Sequence, residues 1–172
     1  MIRFQKKPIL VPIGQPTYIR REANSRHNEV TVIVSRYAIP LNNAFYNRAD
    51  SLNKSVIMAG LKATKSFQDI EFVFNNNPQA PAFTFVVKAK TERRGDDAPN
   101  QELADKIVRI KASIKASAIA RKVFLAIAAQ YSNELSFNHS IYETICSYEA
   151  REVSYLNNIY SEFDNKTNET KV

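Results

Sequence analysis

The sequence predicts an α+β fold: a small antiparallel sheet in β-α-β-β-α-α order, covered on one face by helices, with one long central helix and an extended N-terminal arm. Three observations carry that prediction. Residues 101–135 contain no Gly or Pro and are dense in Ala, Ile, Leu and Lys, which a long helix favours. Residues 29–39, 69–74 and 83–91 are short runs of β-branched and aromatic side chains set between turn formers. Residues 1–26 carry Pro8, Pro12 and Pro16 at four-residue spacing, which forbids a helix and favours extended chain.

The arm, residues 1–26, alternates its prolines with Ile9, Leu10, Val11 and Ile13 and adds Arg3, Lys6, Lys7, Arg20, Arg21 and Arg26. Such a segment reaches onto a neighbouring subunit or along a phosphate backbone, or lies as a leader across its own domain. The core follows, residues 27–135. EVTVIVSRYAI at 29–39 is the clearest strand, with Val30, Val32 and Val34 on one face and Thr31, Ile33 and Ser35 on the other. Asn42 or Asn43 then caps a helix reaching about residue 63, with Phe45, Leu52, Val56, Met58, Ala59 and Leu61 on its apolar side. Two strands come next, joined by NNNPQAPA: Ile70, Phe72 and Phe74 share a face of the first, and Phe83, Phe85 and Val87 a face of the second. The charged segment TERRGDDAPN is a surface loop.

Pro99 and Asn100 mark the start of the long helix, and Glu102 and Asp105 suit the positive end of its dipole. Leu103, Ile107, Ile110 and Ile114 form a stripe with Lys106, Arg109, Lys111 and Lys115 on its flanks. Farther on, Ala118–Ala120 and Val123–Ala129 leave almost no polar face, which predicts burial in the fold or against another subunit. That apolar run is shorter than the ~20 residues a bilayer requires. Residues 136–172 supply a C-terminal helix over about 141–163 and a polar tail expected to fray; Ile141, Ile145, Tyr148, Glu152, Tyr155 or Leu156, Ile159 and Phe163 fall near heptad spacing. The element order resembles a split β-α-β plan without its last strand, which is missing, donated by the arm, or supplied by another subunit.

Charge is uneven. The net +7 divides into 21 Lys/Arg against 10 Asp/Glu up to Asn133 and 3 against 7 beyond it. A basic body with an acidic tail favours a polyanionic partner or self-association. Cys146 is the single cysteine, so no intramolecular disulfide or thiolate cluster forms, and the first ten residues lack a signal-peptide pattern. A reducing setting is expected, the cytoplasm or the interior of a virus-like particle, without secretion.

Catalytic chemistry has little to work with, and no enzyme is expected. His27 and His139 lack ligand-spaced neighbours, so neither a metal nor a cofactor is expected. Cys146, seven residues from His139, reads as a buried structural residue, and the adjacent Asp96 and Asp97 as solvated acids. Three glycines cannot build a phosphate-cradling loop. The positive signal is cationic: Lys88 and Lys90 on one strand face, Arg93 and Arg94 in the loop, and Lys106, Arg109, Lys111, Lys115 and Lys122 on the helix predict one continuous surface for nucleic acid or another polyanion. Phe83 and Phe85 read as core rather than as base-stacking platforms. The expected function is an oligomerising, non-enzymatic nucleic-acid-binding subunit of a nucleoprotein or virus-like assembly. Subunit contacts fall to Ile9, Leu10, Val11, Ile13, Tyr148, Tyr155 and Ile159. The alternative is an assembly subunit that makes only protein contacts.

Overall fold

The computed structural model describes residues 2–4, 7–24, 28–40, 54–63, 65–68, 70–75, 82–93, 100–130 and 139–169. Within them the chain forms β1 (Ile2–Phe4), β2 (Lys7–Arg21), β3 (Glu29–Pro40), α1 (Lys54–Ala63) with a 3-10 turn at Lys65–Phe67, β4 (Phe72–Asn75), β5 (Ala82–Arg93), α2 (Gln101–Gln130) and α3 (His139–Glu169). Every pairing is antiparallel, and the order across the sheet is β1-β2-β3-β5-β4. The α+β class and the long central helix are as the sequence predicts. The expected cap at Asn42 or Asn43, the loop cation Arg94 and His27 lie outside the described residues.

The arm is extended but not irregular. Fifteen of its residues form β2, which pairs with β3 from Val11↔Ala38 to Arg21↔Val30 and so supplies the strand that the split β-α-β plan lacked. Strand parity explains how a proline-rich segment manages this. Between Ile13↔Arg36 and Thr17↔Val34, residues 14–16 stand opposite Ser35 alone, a bulge that holds Gly14 at φ 65°, where glycine is favoured. The shift is even, so odd residues of β2 oppose even residues of β3 on both sides of it. A residue's N–H and C=O leave a strand on one side together. If the odd residues bond β3, Pro12 and Pro16 turn their missing donors to the outer edge, where proline is tolerated.

One face of the sheet is packed under helices. Thr31, Ile33, Tyr37 and Ile39 of β3 alternate in burial with Val30, Val32, Val34 and Arg36; Phe83, Phe85 and Val87 of β5 alternate with Thr84, Val86 and Lys88. Phe83 and Phe85 are 0% and 1% exposed, so the expectation that they belong to the core holds, and burying each such side chain contributes roughly 1.5–3 kcal/mol. Near Ile9, Leu10 and Ala38 both faces are buried.

Helix α2 lies over β3 and β5. Asn100 caps it as expected: its Oδ1 accepts the Leu103 N–H at 2.9 Å and its carbonyl accepts the Ala104 N–H at 3.1 Å. Its expected stripe is rotated. Ile107 is buried, but Leu103, Ile110 and Ile114 are half-buried, and the deepest apolar positions are Val108, Ala112 and Ala116, four residues apart and 0% exposed. Small side chains there let the helix sit close to its neighbours. Beyond them Ile119, Ala120, Val123 and Phe124 are buried within the chain's own fold, and Leu125 turns outward.

Helix α3 runs antiparallel to α2, with Tyr148 bonded to Ser113 and Ile159 beside Leu103 and Ile107. Its inner seam is Ile145, Tyr148, Glu152, Leu156 and Ile159, so Leu156 rather than Tyr155 takes the heptad position. The helix continues to Glu169, past the point where fraying is expected. Residues of the arm, the middle of the chain and the C-terminal helix (Ile9, Phe83, Ile119 and Ile145 among them) meet in one buried cluster. Cys146, expected buried, is half-buried.

Candidate polyanion interface

The register of the sheet brings a defined set of side chains to the face that no described helix covers, its helix-free face among the described residues. Across three strands, Ile19, Val32 and Lys90 form one row; Thr17, Val34 and Lys88 the next; Ile13, Arg36 and Val86 a third; and Arg21, Val30 and Glu92 the row at the other end. Lys88 and Lys90 are exposed there, as expected from strand alternation. Arg36 and Arg21 join them. Neither is in the set expected from the sequence, although the Val30-Val32-Val34 alternation extends directly to Arg36.

Strand β4 pairs only with Ala82–Phe85 of β5, so among the described residues β5 is an unpaired edge from Val86 onward. Two helix cations reach that edge. Lys111 Nζ donates to the Lys90 carbonyl at 3.2 Å, and Lys115 Nζ donates to the Lys88 carbonyl at 3.3 Å. The match is metric: four helical residues rise ~6 Å, two strand residues ~6.7 Å, and the two elements run in opposite directions. Four lysines thus gather along one stretch of edge. The Lys111 ammonium also lies 6.0 Å from the Tyr160 ring centroid.

The other expected cations divide away from this set. Arg93 is held by Glu29 at 2.9 Å, and Arg94 lies outside the described residues. Lys106 and Arg109 lie on the flank of α2 opposite Lys111 and Lys115, given ~100° per residue. Arg109 donates to the Tyr18 hydroxyl, which raises its pKa and keeps its charge beside β2. Lys122 lies over the Phe67 ring, 4.8 Å from its centroid. The single continuous basic surface is therefore corrected to a compact edge site with separate outliers. Among the described residues Lys88, Lys90 and Lys106 have no acid partner within ion-pair distance.

The expected subunit contacts also scatter. Ile9 and Leu10 are 1% and 2% exposed and belong to the chain's own core, which removes them as contact residues. Val11 is half-buried, and Tyr148 is half-buried with its hydroxyl 2.9 Å from Ser113 Oγ. Ile159 lines a cleft of about 130 Å³ between the ends of β3, β5, α2 and α3. Ile13 and Tyr155 remain outward, on different faces. Among the described residues no group of three His, Cys, Asp or Glu could hold a metal, and no helix is long and apolar enough to cross a membrane.

The chain matches no protein-family model, no curated protein and no solved structure.

Proposed function

We propose that this chain binds nucleic acid, or another polyanion, without sequence preference, as a non-enzymatic, oligomerising subunit of a nucleoprotein or virus-like assembly in the cytoplasm or inside a particle. The observation that carries this reading is the gathering of Lys88, Lys90, Lys111 and Lys115 along the unpaired edge of β5. Lysines in such a row neutralise phosphates and release the counterions condensed on them, which gives salt-dependent affinity and no readout of bases. No aromatic ring lies among the helix-free-face residues of β2, β3 and β5 named above, which fits contact with the backbone rather than stacking on bases. The test is binding of random-sequence duplex DNA across a range of ionic strength, in the wild type and in Lys88→Gln/Lys90→Gln. Two lost contacts flatten the logarithmic salt slope by ~1.8, at ~0.9 per phosphate. An affinity indifferent to salt, or an unchanged slope in the variant, refutes the reading.

A second reading, a subunit making protein contacts alone, is favoured by the aliphatic strip on the helix-free face. Ile13, Ile19 and Val73 are 38%, 55% and 53% exposed there. Ile19→Ser separates the two. A fall in solution mass, in a protein whose DNA affinity ignores salt, supports protein contact with incidental charge.

A further inference from the structure

We infer that the Lys88–Lys90 stretch of the unpaired β5 edge, where lysines cover the acceptors and leave the donors open, takes the backbone of a single extended phosphodiester chain, through main-chain N–H groups as well as lysines. This rests on the polyanion reading above and specifies its ligand. The Lys88 and Lys90 carbonyls point away from β3, since Lys115 and Lys111 bond them on the outer side. The N–H of each residue leaves the strand on the same side as its carbonyl. Those two N–H groups therefore face outward too, beyond the reach of β4, which stops pairing at Phe85.

The two halves of this edge differ. Its acceptors at Lys88 and Lys90 are occupied, whereas no backbone group outside the sheet ladder bonds the two N–H groups among the described residues. Each lysine ammonium carries three donors and spends one on a carbonyl, so it too still offers hydrogens outward. An incoming protein strand carries donors as well as acceptors, and its donors meet blocked carbonyls. A phosphodiester chain brings acceptors and negative charge only. The site is short and straight: two N–H groups ~6.7 Å apart, flanked by Val86 next to the end of β4 pairing and by Glu92, whose carboxylate accepts from Asn28 at 3.4 Å and repels a phosphate. A line of that kind follows one extended strand, whereas a duplex curves away from it.

The experiment is a backbone-amide resonance titration of the isotope-labelled full chain with three probes: oligothymidylate, a duplex of equal length, and polyglutamate. The Lys88 and Lys90 amide signals are expected to shift with oligothymidylate and to exchange with solvent more slowly, with a weaker response to the duplex. Ala89, whose N–H belongs to the opposite side of the strand, is the internal control. Lys88→Gln/Lys90→Gln retains both N–H groups, so the same two amides still move at higher ligand concentration while the salt slope drops by ~1.4, at ~0.7 per single-strand contact. A duplex response equal to or above that of the single strand overturns the inference, as does a response to polyglutamate alone. Salt-dependent binding that leaves both amides unmoved ends this inference and leaves the polyanion reading standing. No binding of any nucleic acid ends both.

Discussion

Alkaline titration of Tyr37 tests how tightly α3 closes over the sheet. Tyr37 stands on the packed face of β3, 9% exposed, with its ring stacked 6.0 Å from that of Phe85. Burial pushes its phenol from 10.0 up to about 12; Tyr148 and Glu152 on α3 push the same way, and a hydrogen bond with Ser35 opposes them. The folded state thus holds this proton at pH values where the unfolded chain has lost it. Stability from this group is complete below pH 10 and is lost as pH rises toward 12. A shift of about two pH units, at 1.36 kcal/mol each, amounts to roughly 3 kcal/mol. Tyr37→Phe removes the ionisation together with the Ser35 bond, at a cost of about 1 kcal/mol near neutrality. The assay is urea unfolding followed by helical circular dichroism, at stepped pH, in both proteins. Ionisations remote from Tyr37 are common to the two proteins and cancel in the difference. The variant is expected to start about 1 kcal/mol less stable and to finish roughly 2 kcal/mol more stable than the wild type. A difference that stays constant across this range refutes the argument that burial beneath α3 sets the phenol's behaviour.

Two further outcomes bear on the sheet and its covering helix. Ala116→Leu forces a larger side chain into a position that is 0% exposed and is expected to cost about 1–3 kcal/mol in urea unfolding. Lys111→Ala/Lys115→Ala removes two exposed lysine–carbonyl bonds, so stability falls by about 1 kcal/mol, taking the lower end for each, but the freed carbonyls open β5 to strand pairing, and light scattering rises.

The long helix and its cap were legible because local rules decide them: absence of Gly and Pro, high propensity, and an Asn whose side chain reaches the third residue beyond it. The face it buries was harder to read. Large aliphatics draw attention to Leu103, Ile110 and Ile114, yet close approach to the sheet selects Ala112 and Ala116, which carry little hydrophobic signal. Strand β2 was obscured by its prolines. Their cost depends on which side of the strand lacks a donor, and that is fixed only by pairing with β3. Lys88 and Lys90 were legible from alternation. The bonds of Lys111 and Lys115 to the β5 carbonyls were not, because they arise from the placement of a helix against an edge.

Those bonds change what the basic composition means. A net charge of +7 invites a polyanion, but much of the cationic inventory already has employment in the fold. Arg93 holds Glu29, Arg20 holds Asp105, and Arg121 holds Glu149. Arg109 bonds Tyr18, while Lys111 and Lys115 cover carbonyls that an exposed sheet edge must protect. Charge so used would be present whether or not a ligand exists. Lys88 and Lys90 differ, because the edge requires only their backbone, and neutral side chains on the helix-free face would serve the sheet equally well. Their cations stand beside two others already fixed in position, so an anion arriving there meets charge whose ordering cost was met during folding. The case for a ligand therefore rests on these two lysines more than on the overall charge.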